Sequence, residues 1–307
     1  MDTTALVIML VSVLIEFVVG MALNLHILLV YIGNLKNGLS MGPSDKIHIT
    51  KALINISVHV MMTAQYILVS FWPHMYFTNE VFLQNGMINM FLIYYTFWLT
   101  ALLCVYYCTN ITTCSHHIFV WLKRSLSSYL LHILLVSGLG LLTICIPIFW
   151  FGSIEPPGNI TDESKLFQGT FSIAAPYRTT SSILGFFLPL AIAFVSTAFT
   201  SWSLLSHMWR MKQNNPGFTR SKFQTQINAT RTMILFLLIC VIFNVIQMFI
   251  AIIPLSSFDT IVIVTWFVNL FYPLAEAAII IQSSAKLRNS LIEKFFNKIR
   301  KNSETET

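Results

Sequence analysis

At 307 residues, with 56% hydrophobic and only 10% charged residues, the chain has less than half the charge of a water-soluble domain, which averages about 25%. That balance excludes disorder, a coiled coil and an ordinary cytosolic enzyme. A formal net charge of +6, carried by so few ions, calls for a topological explanation before a nucleic-acid one.

A bilayer-crossing helix takes about 20 mainly apolar residues. The sequence predicts seven such spans, at Ala5 to Ile32, Ile47 to Phe71, Gly86 to Cys108, Leu126 to Phe151, Ser182 to Trp209, Thr232 to Ile253 and Thr260 to Ile281. The expected fold is an all-α membrane protein, a seven-transmembrane helix bundle. Span 1 holds Glu16 and Asn24 and has no small-residue cleavage site, so it reads as a retained helix rather than a signal peptide. In span 2, His48 and Lys51 fall in the first turns and read as snorkelling to the interface, with Asn55, His59 and Gln65 deeper. Pro147, Pro189 and Pro273 interrupt spans 4, 5 and 7, which frees backbone carbonyls and favours a central pocket. Beyond this domain of 1–284, Leu287, Leu291 and Phe295 recur at four-residue spacing among Arg288, Lys294 and Lys298. That pattern predicts an amphipathic helix over 285–301 on the inner leaflet, then a disordered tail over 302–307.

Charge orients the bundle. With the amino terminus outside, all but two of the 18 Lys and Arg residues fall on cytoplasmic segments, the exceptions being Lys165 and Arg178, as the positive-inside rule requires. The basic clusters have no interleaved exposed aromatics and read as topology and lipid-headgroup contacts, so nucleic acid is not a predicted partner. Of four Asn-x-Ser/Thr tripeptides, only the one at Asn159 sits in a long exterior loop, and it is the glycan candidate. No cysteine occupies an exterior loop, which argues against an extracellular disulfide. Cys104 and Cys108 share a helix face without a His or further Cys to complete a zinc site, and no cofactor is implied.

Ionisable groups at membrane depth mark function. Counted from the cytoplasmic ends at ~1.5 Å per residue, Asn24, Asn55 and Glu276 all fall about 10 to 12 Å deep and are expected to form one intramembrane polar network, with Glu276 protonated or hydrogen-bonded. Glu16 lies about 12 Å above Asn24 and needs other partners.

Seven helices with an exterior amino terminus is the plan of G-protein-coupled receptors, but helix 3 ends Val105-Tyr106-Tyr107-Cys108 without an acidic-Arg pair, and helix 7 has no Asn-Pro-x-x-Tyr run. Other motifs are more specific. Glu16-Phe17-Val18-Val19-Gly20 followed by Asn24, the block from Trp98-Leu99 through Tyr107-Cys108, Ser115-His116, Phe119 and Trp121-Leu122-Lys123, the Gly217-Phe218 to Phe236-Leu237-Leu238 stretch, Tyr272-Pro273 and Lys286-Leu287-Arg288 together resemble the type 2 taste receptor family, the bitter taste receptors, over nearly the whole chain. The chain is a divergent member by this resemblance: the family's helix 7 His-Ser is Glu276-Ala277, its helix 2 Arg is Asn55, its Asn before the Lys-Leu pair is Ser284, and Asn89 and Ile93 stand where many members place a Trp and an Asn toward the ligand.

The resemblance implies a plasma-membrane receptor for bitter or aversive small molecules that couples to a gustducin-like heterotrimeric G protein. The agonist would wedge between helices 3, 5, 6 and 7, with Asn89, Ile93, Phe97, Phe187, Gln247, Ile250, Trp266 and Asn269 as candidate contacts. On the inner face Tyr107, His116, Lys123, Arg210, Lys212 and Arg231 surround the expected G-protein site. A homo-oligomer stays open. Two competitors are weaker: a pheromone-type seven-helix chemoreceptor would lack the Trp98 to Lys123 block, and a small membrane transporter would show inverted repeats or a charged pathway. An intramembrane hydrolase would need paired groups at one depth, and Glu16 and Glu276 are at different depths.

Overall fold

The structure, a computed structural model, describes residues 3–76, 78–112, 117–155, 170–214, 224–252 and 258–293. Seven rods dominate: α1 (Thr3–Lys36), α2 (Pro43–Phe71), α3 (Asn79–Ile111), α4 (Leu130–Cys145, resumed over Ile148–Phe151), α5 (Ala175–Ser182, continued after a π turn over Leu188–Asn214), α6 (Gln224–Ile252) and α7 (Phe258–Ser283). Six of them contain helices long and apolar enough to cross a membrane, and the seventh contributes the shorter apolar stretch Phe267–Ser283. They are apolar on the outside as well as within. Val18, Leu135, Val136 and Val195 are more than half exposed on the rod surfaces, which suits a lipid solvent and not water. Trp72 and Trp150 near one end of the bundle and Trp121 and Trp209 near the other are likewise exposed, as in an aromatic belt.

α3 is the central rod, packed against α2, α4, α5 and α6, while α1 lies along α2 and α7. Its buried Tyr94, Tyr95, Leu99 and Leu103 join Ile27 and Tyr31 of α1, Phe236 of α6 and Ala277 and Ile280 of α7 in one core. The prolines act where the sequence places them. Pro147 breaks α4, and the Tyr177 hydroxyl of α5 lies 3.0 and 3.1 Å from the freed carbonyls of Ile144 and Cys145. Ahead of Pro189, which has no N–H to give, α5 widens into a π turn over Ile183–Phe187. There the Leu184 carbonyl accepts the Trp98 indole N–H at 3.2 Å. Gly185 lies flat on the Tyr94 ring, where a Cβ would overlap the ring atoms.

Two features were not expected from sequence. Outside the rods, Gly152–Glu155 pairs antiparallel with Thr170–Ile173, Gly152 opposite Ile173, as a two-stranded ribbon at the exterior end. On the cytoplasmic side a separate helix, His117–Ser128, follows α3. After α7 the chain is helical again over 285–293. That segment docks on the bundle through fully buried Leu287, whose carbonyl accepts the His26 Nε2 proton at 3.1 Å. Phe295, Phe296 and the tail lie outside the described residues, as does Asn159.

Candidate functional site

Polar side chains occupy two separate places in this bundle. The inner one starts from a helix boundary. α2 begins at Pro43, a turn before the predicted Ile47, because the Gly42 N–H finds the Asp45 carboxylate at 3.2 Å and proline is well suited to a first turn. Lys51 therefore stands about 12 Å inside the helix start. It does not snorkel, as the sequence reading expected: it is fully buried. Its ammonium has three protons and meets three acceptors: Glu276 Oε1 at 2.8 Å, Thr100 Oγ1 at 2.7 Å and the Thr96 carbonyl at 3.3 Å. The Phe236 ring of α6 lies 5.2 Å from the nitrogen, within cation–π range. One cation thus ties α2 to α3, α6 and α7.

Asn24, Asn55 and Glu276, expected as one network, are divided over two adjacent layers. Asn55 Nδ2 lies 3.3 Å from both Asn24 Oδ1 and the Pro273 carbonyl, and Asn24 Nδ2 donates to the Gly20 carbonyl at 2.8 Å. Glu276, one turn nearer the cytoplasm, is bonded instead to Lys51, with the Thr100 hydroxyl 3.3 Å from the same oxygen. The network reading missed Lys51 because a lysine near a predicted span end looks interfacial. Its signal was an opposite charge at Glu276's depth. One turn to the exterior side of Asn55, His59 is buried against Gly20, and a Cβ at Gly20 would fall inside the imidazole. Glu16 is also buried, higher on α1, and its Oε2 has no hydrogen-bond partner among the described residues.

The outer place is a cavity of about 300 Å³ toward the exterior end. Gln65 and Met62 come from α2, Asn89 and Met90 from α3, Asn269 from α7, and Ile148 and Ile173 close it from α4 and the ribbon. Its amide groups are organised in pairs, beside the Tyr76 phenol: Asn89 Nδ2 donates to Gln65 Oε1 at 2.8 Å, and Gln247 Nε2 donates to Asn269 Oδ1 at 2.9 Å. Pro273 has no N–H for the carbonyl of Asn269, one turn before it, so α7 is loosened beside the cavity. A wider hollow of about 410 Å³ at the start of α3 is lined by Asn79, Glu80, Gln84 and Phe149 among others. All four are exposed, so no buried polar groups converge there.

Of the eight agonist-contact candidates, Asn89 and Asn269 line the cavity and Gln247 backs Asn269. Phe97 is core: it stacks on Tyr272 with centroids 5.5 Å apart, meets Phe243 at 5.8 Å and receives Phe186 edge-on at 5.1 Å. Ile93 packs half-buried on that group. Phe187 faces outward, 42% exposed, because the π turn gives the inward direction to Phe186. The side chains of Ile250 and Trp266 lie outside the described residues. Gln65, noted in sequence only as deep enough to line a cavity, is the partner that fixes Asn89.

On the cytoplasmic side, Lys123, Arg210 and Arg231 are exposed, and Tyr107 is half-buried against the core. His116 and the side chain of Lys212 lie outside the described residues.

Against known proteins, the family model described as "Taste receptor protein (TAS2R)" matches residues 1–299. The chain belongs to that family. This taste receptor is 26% identical to Taste receptor type 2 member 40 of Gallus gallus over 92% of each chain. It is 27% identical to Taste receptor type 2 member 120 of Rattus norvegicus, over 95% of this chain and 97% of the other. The same identity, 27%, holds to Taste receptor type 2 member 50 of Pongo pygmaeus, over 76% of this chain and 77% of that one. Membership and the apolar rods make the taste receptor a multi-pass protein of the plasma membrane. Within it, the cation one turn below Asn55 and the carboxylate of Glu276 form a buried pair of opposite charge.

Proposed function

We propose that this receptor binds bitter or otherwise aversive small molecules in the outer cavity and answers by opening its cytoplasmic face to a gustducin-like heterotrimeric G protein. The observation that carries the reading is continuity along α7. Asn269 lines the cavity, Tyr272 sits in the ring group with Phe97 and Phe243, and Glu276 is paired to Lys51. A ligand that moves the upper part of this loosened helix acts directly on the two groups that hold α3, α6 and α7 together below.

The physics is a population shift. An agonist can turn the receptor on only through tighter binding to the active arrangement, and moving a 1:99 equilibrium to 99:1 takes a preference of about 5.5 kcal/mol. Parting of α5 and α6 at their inner ends would expose a groove flanked by Tyr107, Lys123, Arg210 and Arg231. His116 and Lys212 belong to the same proposed surface, and the exposed cations would meet acidic groups of the G protein. The helix over 285–293, seated by Leu287 and extended by the amphipathic pattern to 301, would lie on the inner leaflet. A glycan at Asn159 would mark the exterior face.

The test is a calcium-mobilisation screen of bitter compounds in cells expressing the full chain with a chimeric gustducin-like α subunit. Some compounds should evoke a response that falls several-fold when Lys123, Arg210 and Arg231 are all changed to Gln, with surface level held. Surface-expressed protein that answers no compound but carries solute flux would replace this reading with a transporter.

A further inference from the structure

The polar side chains of the outer cavity are uncharged types, three carboxamides and the Tyr76 phenol. Gln65, Asn89 and Asn269 are carboxamides, and no Asp, Glu, Lys, Arg or His is among the described residues that line it. The charges buried in the inner layer, Lys51 and Glu276, are committed to each other. An ionised ligand entering this cavity would give up its hydration without meeting a counter-charge, and that penalty is large.

What the carboxamides leave unused defines the ligand more closely. A carboxamide has one carbonyl and two N–H donors. Asn89 directs an N–H to Gln65, and its carbonyl oxygen has no partner among the described residues. Asn269 accepts the Gln247 N–H on its carbonyl, and its own N–H groups have no partner among the described residues. Gln247 from behind and Gln65 from within the lining hold these two orientations, so α3 presents a spare acceptor and α7 a spare donor to the same space. Around them Met62, Met90, Phe82 and Ile148 supply an apolar wall, and methionine adapts to irregular shapes. A volume of about 300 Å³ is at the small end of ligand pockets, which run from about 300 to 1,000 Å³.

We infer that this cavity selects compact, uncharged ligands with an amide-like donor and acceptor pair on an apolar body, such as an aromatic carboxamide or lactam. The ligand N–H is held by the Asn89 carbonyl and the ligand carbonyl by the Asn269 N–H. The inference rests on the cavity being the agonist site, as proposed above. A site whose polar groups are left unpaired by the wrong ligand discriminates strongly, so the specificity lies in these two residues and not in the apolar wall.

The test uses the full chain at the cell surface, with calcium release and thermal stabilisation of the purified receptor as readouts. Benzamide, cinnamamide and 2-quinolinone are compared with benzoate, cinnamate and benzylammonium, beside a broad panel of neutral and ionic bitter compounds. The amides and the lactam should act at concentrations about tenfold or more below any effect of the ions. Asn89→Leu and Asn269→Leu should each weaken them by a similar factor. Asn89→Asp should admit benzylammonium, a gain that a merely structural role of Asn89 would not produce. If the ions match the amides, or if active compounds of the broad panel ignore both Leu variants, the ligand class falls and the receptor reading stands. If the surface-expressed chain answers no compound of either panel, both fall.

Discussion

In the cytoplasmic half of the bundle Lys51 and Glu276 meet charge to charge, and every ammonium proton is directed at an acceptor. Around the exterior cavity two pairs of neutral amides steady each other and leave capacity facing the space between them. The two halves share α2, α3 and α7, so the difference lies in residue chemistry and not in the rods. A buried charge pair specifies how helices sit together, while open carboxamides are available to something else. Breaking the first should cost the protein its fold, and breaking the second only its ligand.

The largest effect expected is that of Glu276→Ala, which leaves the Lys51 ammonium buried without its counter-ion. Losing one partner of such a pair costs about 3 to 5 kcal/mol, and surface expression should nearly vanish. The double variant Lys51→Met/Glu276→Leu should recover it, since apolar replacement of both partners is often neutral or better. Melting of purified receptor compares the two, and failure of the double variant to recover would show that the charges themselves are needed. Gly20→Leu comes next. Its side chain must displace the His59 ring, at about 1 to 3 kcal/mol, and His59→Ala in the same chain should return most of the loss in the same melting assay.

Asn55→Leu removes the bonds to Asn24 and to the Pro273 carbonyl, and about 1 to 2 kcal/mol should go with them. The smallest change in stability belongs to Asn269→Leu, below about 1 kcal/mol because its neighbour Gln247 is only half-buried and can turn to the cavity. The same variant should have the larger effect on agonist potency in the calcium assay. A melting temperature that falls as far for Asn269→Leu as for Glu276→Ala would erase the distinction between the halves.

The rods and their direction were legible because hydrophobic length and basic flanks are properties of whole segments. The finer site was not, for local reasons. One turn of helix ahead of Ile47, set by Gly42 and Asp45, separates an interfacial Lys51 from a buried one. Depth counting put Asn24 and Asn55 at one level, and their side chains meet. The same count could not tell that Glu276 would turn toward a lysine. Helical periodicity also gives no notice of a π turn, so it named Phe187 where Phe186 is the inward ring. Gln65 was visible only as a deep polar residue, and its role depends on the rotation of α2 against α3.

The exterior part of α5 is fastened twice, by the Tyr177 hydroxyl to α4 and by the Leu184 carbonyl to Trp98 of α3. A rod fixed at one end is a lever. From Leu184 to Asn214 the arm is roughly 45 Å long at helical rise, so a tilt of about 5° at the pin swings the far tip sideways by about 4 Å. Rearrangements too slight to notice around the anchorage would be magnified where the signal leaves the molecule.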